Sequence, residues 1–144
     1  MNLLEDIRQF HEKFGLEYNG PPRRLPEELA SFRTKFLAEE LGEYAFDGDL
    51  LNIDFLVNSI QDDLVPPVKL ENALDALVDL VYVALGTAYL HGFDFAEAWR
   101  RVHHANMQKI RVLREVDSKR GSIYDVVKPE NFVPPDLSDL VNVA

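Results

Sequence analysis

Residues 69–91 read KLENALDALVDLVYVALGTAYLH, and the reading of this stretch decides the fold. Helical periodicity runs from Lys69 to His91 and stops at Gly92. From Ala76 onward the stretch is apolar nearly all round, the mark of a helix buried on several sides. A helix of that kind has to be covered, and the flanking sequence offers further helices. Downstream, Asp94 with Glu97 three residues later forms a capping box. It opens a helix that carries Phe95, Ala98, Trp99, Val102, Ala105 and Ile110. Upstream, a short helix is expected around Ile53 to Ile60, within a segment from Asp49 to Val65 that Pro66-Pro67 closes. Before it, a helix starts near Pro26, a good first-turn residue, and ends at Asp47-Gly48. Leu29, Phe32, Phe36, Leu37, Leu41 and Tyr44 form its apolar stripe. A first helix over Leu3 to Phe14 carries Leu3, Leu4, Ile7, Phe10 and Phe14, with Asn2 and Glu5 as capping pair and Gly15 as stop. The segment YNGPPRRL that follows cannot continue a helix. After Val112 the chain turns polar, and VKPENFVPPDL reads as an extended tail draped over the bundle. No stretch alternates well enough to be a strand. The expectation is an all-α bundle of four to five helices. It forms one domain over 1–144, with a core over about 26–112 and a tail over 113–144.

Composition narrows the function. Of 144 residues, 47% are hydrophobic, which suffices for a packed core. The net charge of −10 repels phosphate backbones and argues against non-specific nucleic-acid binding. It does not exclude nucleotides, since a metal can bridge carboxylates to a polyphosphate. The absence of cysteine excludes disulfides, thiolate catalysis and Cys-type zinc sites. The start, MNLLEDIRQFHEKFG, lacks the features of a signal peptide. The most apolar stretch, Ala76 to Leu90, contains Asp79 and is too short to span a bilayer. A soluble cytoplasmic protein is expected.

Two acidic groups invite a chemical reading. Glu39, Glu40 and Glu43 lie at spacings of three and four, on one helix face. A solvated acidic face and a ligand set both fit that spacing. Glu71, Asp75 and Asp79 follow at four-residue steps on the apolar helix. A lone ionised Asp79 inside an apolar bundle would cost roughly several kcal/mol. It is therefore paired with Arg33, hydrogen-bonded to Tyr82 or Asn106, or bound to a metal. Glu-x-x-His pairs for di-iron and His-Glu-x-x-His for zinc are absent, as are phosphate-binding glycine motifs. An all-oxygen set favours Mg²⁺, with Mn²⁺ as a substitute, and phosphoryl chemistry.

Taken in order, Glu39-Glu40-x-x-Glu43, then Asp79-Leu80-Val81-Tyr82-Val83, then Val102-His103-His104-Ala105-Asn106-Met107-x-Lys109 resemble the all-α NTP pyrophosphatase superfamily. That group includes MazG-like proteins, dimeric dUTPases and phosphoribosyl-ATP pyrophosphohydrolase. Lys128-Pro129 and Pro134-Pro135-Asp136-Leu137 are similar to the tail of MazG-like members. The resemblance implies Mg²⁺ held by Glu40, Glu43 and Asp79, with Glu39 as a further ligand or base. It implies hydrolysis of a nucleoside triphosphate to monophosphate and diphosphate. Asn106 and Lys109 would contact the nucleotide, as would Lys128. His103 and His104 read as structural or rim residues. Phe32, Phe36, Tyr82 and Trp99 read as core or as an apolar base pocket.

One departure stands out. The superfamily pattern on the apolar helix is Glu-x-x-Asp, and Ala76 occupies the Glu position. Asp75, one residue earlier and ~100° round the helix, is the candidate replacement. The surplus apolar surface of that helix, and the resemblance, imply a homodimer or a dimer of dimers. The expected activity is pyrophosphohydrolysis of (d)NTPs. Phosphoribosyl-ATP hydrolysis in histidine synthesis is the alternative within the class. A non-catalytic helical interaction module, suggested by Ala76, is the alternative outside it.

Overall fold

The computed structural model describes residues 2–60 and 68–142. The expected stop at Pro66-Pro67 lies outside them. Among the described residues the chain forms five α-helices and one two-stranded sheet, an all-α fold. By packing it divides into two compact units, Pro21–Ala73, and Met1–Gly20 with Leu74–Ala144.

The first unit is a helical hairpin of α2 (Glu27–Phe46) and α3 (Leu50–Asn58). Glu27 and Glu28 place negative charge at the start of α2, where the helix dipole favours it. The reversal uses two left-handed residues, Asp47 (φ 47°) and Gly48 (φ 81°). Asp49 then caps α3, its Oδ1 accepting from the Leu51 and Asn52 N–H groups at 3.1 and 3.4 Å. That cap starts α3 at Leu50, earlier than the hydrophobic run from Ile53 suggests, and α3 ends at Asn58. Such a short link makes α2 and α3 antiparallel neighbours. They meet at Gly42 and the buried Ile53. A Cβ on residue 42 would sit 3.3 Å from both γ-carbons of Ile53, so only glycine permits this approach without movement. Phe32 is buried and packs edge-to-face on Phe36 at 5.9 Å. Leu37, Leu41 and Tyr44, expected in the stripe, are exposed.

In the second unit, α1 (Leu3–Lys13) and α5 (Phe95–Asn106) are tied by polar contacts. Trp99 Nε1 donates to Asp6 Oδ2 at 2.8 Å, and Lys13 Nζ donates to the Met107 carbonyl. Asn2 caps α1 through the Glu5 N–H, and Asp94 caps α5 through the Glu97 N–H, as the sequence indicates. α5 ends at Asn106, short of Ile110, because the chain turns there into a strand. That strand, β1 (Ile110–Arg111), pairs antiparallel with β2 (Val126–Val127), with Ile110 opposite Val127 and Arg111 opposite Val126. Two-residue strands carry no alternation for a sequence to display. Single 3-10 turns occupy Glu115–Asp117 and Ser138–Leu140.

The loop between the strands is organised around Asp125, whose side chain is fully buried. Asp125 Oδ1 accepts from Arg120 Nη1 and the Val126 N–H, both at 2.9 Å, and Oδ2 from Ser118 Oγ at 2.8 Å. Stripping such a carboxylate of its partners costs about 3–5 kcal/mol. Arg111 joins this sheet to the end of α1 by donating to the Phe14, Gly15 and Ile123 carbonyls.

α4 (Leu70–Leu90) is one continuous helix, ended by Gly92 at φ 75°. Its burial differs from expectation. Only Ala88 is buried along it, and Leu74, Tyr82 and Val83 are 65%, 77% and 66% exposed. The single chain does not cover what the sequence makes apolar. The ends of α4 lie within one residue of the expected Lys69 and His91. Its 21 residues make it, among the described residues, the one helix long and apolar enough to cross a membrane by length and composition. Asp75 and Asp79 stand against that use, since a charged side chain at mid-bilayer costs about 2.5–3.5 kcal/mol or more.

The Gly42–Ile53 contact is open to direct test. Gly42→Leu forces α2 and α3 apart and is expected to lower stability by about 1–3 kcal/mol. Chemical denaturation of the variant beside the wild-type chain measures it.

Candidate functional site

The acidic face of α2 is set by Gly42. With residue 42 turned toward α3 and ~100° per residue, Glu39, Glu43 and Glu40 fall at roughly 60°, 100° and 160° from that contact. All three therefore fall within an arc of ~100° on one flank of α2, with Glu39 beside the α3 contact and Glu40 turned away from it. Burial agrees: Glu39 is half-buried, and Glu40 and Glu43 are exposed.

On α4, Asp75 and Asp79 stand one turn apart, with Glu71 a further turn back. Asp79 is exposed, as is Ala76. The picture of Asp79 as a carboxylate enclosed in an apolar bundle is thus corrected for the single chain, because α4 itself is uncovered. Among the described residues, no three His, Asp or Glu side chains gather closely enough to hold a metal ion. Each row follows its own helix instead.

Asn106 is the last residue of α5, and Lys109 follows in a turn where its N–H donates to the Asn106 carbonyl at 3.2 Å. Both are half-buried. Lys128 is exposed, with Nζ 5.3 Å from the centre of the Phe132 ring. His103 lies 3.7 Å from Asp6 Oδ1, which fits the structural role expected of it.

The α5 end also carries contacts that sequence reasoning passed over. Gln108 grips the tail through both halves of its amide. Nε2 donates to the Val133 carbonyl at 3.3 Å, and Oε1 accepts from the Val133 N–H at 3.0 Å. Arg101 donates to the Asp136 carbonyl at 2.9 Å and to both Asp139 oxygens at 2.6 and 3.1 Å. The tail is thereby fastened along α5, as a draped segment should be. The Glu97–Arg101 step of four residues was legible, but Asp139 and Val133 are too distant in sequence to signal their partners. Glu97 is held down at about 2 by hydrogen bonds from Arg100 and then Arg101. Asp139 is lowered by its bond from Arg101.

These observations allow a comparison with known proteins. A family model for phosphoribosyl-ATP pyrophosphohydrolase matches residues 7–106. The chain belongs to the phosphoribosyl-ATP pyrophosphohydrolase family. The match runs from within α1 to the end of α5, and takes in Glu39, Glu40, Glu43, Asp75, Asp79 and Asn106. Lys109 and Lys128 lie beyond it. The family is part of the MazG-like all-α NTP pyrophosphatase superfamily, whose resemblance the sequence carries. Its members are soluble hydrolases, pyrophosphohydrolases acting on nucleotide-like substrates. No curated protein and no solved structure matches the chain.

The tail clasp has a defined pH dependence. The folded Glu97 value of about 2 lies below its ordinary 4.5, so its contribution is complete above pH 4.5 and lost as pH falls toward 2. Arg101→Met is expected to speed amide exchange over residues 133–140 at pH 7. The difference in urea midpoint from wild type should shrink as pH drops below 4.5.

Proposed function

We propose that the chain hydrolyses nucleoside triphosphates, deoxynucleotides included, between the α- and β-phosphates, releasing a nucleoside monophosphate and diphosphate. The observation that carries this reading is the Glu39, Glu40 and Glu43 row on the open side of α2, within a family of pyrophosphohydrolases. The donor set fits a hard divalent cation: it is all oxygen, exposed, and without thiolate or imidazole. Glu40, Glu43 and Asp79, with Asp75 in place of the residue missing at Ala76, would hold Mg²⁺ or Mn²⁺. When bound, such an ion neutralises phosphate charge and lowers the pKa of a coordinated water. Glu39, four residues before Glu43 on α2, serves as base, taking the proton of the attacking water. Asn106 contacts the nucleotide. Lys109 and Lys128 bring positive charge to its phosphates.

Phosphoribosyl-ATP is the second reading, favoured by the family whose model matches. The net charge of −10 and the MazG-like tail favour the first. Both substrates lose diphosphate at the same bond, so one assay covers them. Diphosphate release is followed from a panel of canonical, deoxy- and modified triphosphates and from phosphoribosyl-ATP, with Mg²⁺. At least one is expected to turn over, and Glu43→Gln to lower kcat/KM by about 100-fold or more. A folded wild-type chain that releases no diphosphate from any of them overturns the reading.

The same reading includes a second copy. Exposed Leu77, Leu80, Val81 and Tyr82 form an apolar surface that water disfavours, and a homodimer or dimer of dimers covers it. Sedimentation is expected to report a dimer or its multiple, and Val81→Glu to lower that mass. A cytoplasmic setting, where nucleotides are abundant, accords with this function.

A further inference from the structure

The segment between α1 and α2 carries an asparagine followed by glycine, Asn19-Gly20. Asn19 is the one asparagine of this chain with glycine after it. Both residues are exposed, and neither belongs to a helix or a strand. Among the described residues, the Asn19 amide enters no hydrogen bond, and neither does the Gly20 N–H. Asn52 and Asn58 are the contrast. Asn52 Nδ2 donates to Asp49 Oδ2 at 2.9 Å. Asn58 also precedes a small residue, Ser59. There the backbone nitrogen is committed, since the Ser59 N–H meets the Phe55 and Leu56 carbonyls at 3.1 and 3.2 Å.

Glycine at 20 is itself a packing requirement. A Cβ there would run into the Tyr18 phenol, which occupies the space that any other side chain would need. Glycine is also the residue that lets a backbone be approached most closely. Local packing thus puts beside Asn19 the neighbour that hinders attack on its side chain least. A backbone nitrogen one residue on can close a five-membered ring on an asparagine side chain. Closure needs the Asn19 backbone to turn and the Gly20 nitrogen to be uncommitted. Among the described residues, no hydrogen bond of either group opposes this.

We propose that Asn19 is a site of spontaneous covalent modification, deamidation through a cyclic imide. Hydroxide removes the Gly20 N–H proton. The nitrogen's electron pair forms a bond to Asn19 Cγ, the Cγ–Nδ2 bond breaks, and the amide leaves as ammonia with a proton from water. Water then opens the imide. Cleavage at Cγ gives aspartate, and cleavage at the main-chain carbonyl gives isoaspartate. No oxidant, metal or enzyme is required. Either product adds a negative charge to a chain that already carries −10. The charge appears where the unit ending at Gly20 gives way to the unit beginning at Pro21. Isoaspartate also lengthens the backbone there by a methylene. The site lies outside the acidic rows, and its chemistry is independent of the hydrolase reading.

The full chain, kept folded at pH 8 and sampled over weeks, tests the site. Tryptic digestion isolates Phe14–Arg23, and mass spectrometry with fragmentation separates asparagine, aspartate and isoaspartate at residue 19. Asn19 is expected to convert at least about 10-fold faster than Asn58. Both acids should form, and conversion should be faster at pH 9 than at pH 7, as removal of the Gly20 proton requires. Gly20→Ala should slow the reaction by about 10-fold or more. The same substitution in a synthetic peptide of residues 14–23 reads that chemical effect without any change of fold. The unsubstituted peptide sets the rate of an unrestrained chain. Conversion of the folded protein within about 10-fold of that rate supports the site, and a slower rate overturns it. Aspartate without isoaspartate also overturns it, because direct hydrolysis of the amide makes no isoaspartate.

Discussion

Contact between α2 and α3 through a residue without a side chain orders the acidic half of this protein. Gly42 lets the Ile53 side chain come within van der Waals distance of the α2 backbone. Once that point is fixed, helical geometry leaves no choice about where Glu39, Glu40 and Glu43 go. They fan over one flank, from Glu39 beside the contact to Glu40 opposite it, and their mutual repulsion is moderated by water. A larger residue at 42 would roll α2 and carry the carboxylates with it. Packing and chemistry are thus set by one glycine in the middle of an acidic motif.

The second unit uses polar pins where it lacks a large core. Its α1 has no buried residue, and it is tied down by Asp6–Trp99, Lys13–Met107 and the Arg111 carbonyl contacts. The tail is held by Arg101 and Gln108, and the strand loop by the Asp125 network. Hydrogen bonds to charged groups are worth about 1.5–3 kcal/mol each, more than neutral ones. Exposed pins such as Arg101–Asp139 contribute less, because water screens them. The buried Asp125 contacts are the ones whose loss would be felt most.

Family membership and exposure bear on α4 together. The pyrophosphohydrolase family is soluble, yet α4 presents leucine, valine and tyrosine to solvent along most of its length. Its two aspartates sit within that surface. A cover over α4 would raise the value of any charge partner they find, since interactions strengthen as water is removed. The sequence departure at Ala76 gains weight for the same reason: one fewer carboxylate leaves less repulsion to offset.

The sequence by itself determined the helical class, most helix ends and the acidic rows. Capping residues such as Asn2 and Asp94 act on neighbours within one turn, so their message is local. The spacing of Glu39, Glu40 and Glu43 is likewise a property of one helix. The order of motifs was enough to point to a superfamily that the family match then bore out. Tertiary structure decided what depends on distant partners. Asp125 reads as one more acidic residue until Arg120 and Ser118 close on it. Ile110 and Val127 are 17 positions apart, and only strand register sets them face to face. Burial was legible least of all. An apolar helix announces that it needs cover, but the chain alone does not supply it to α4, because hydrophobicity is a demand without an address.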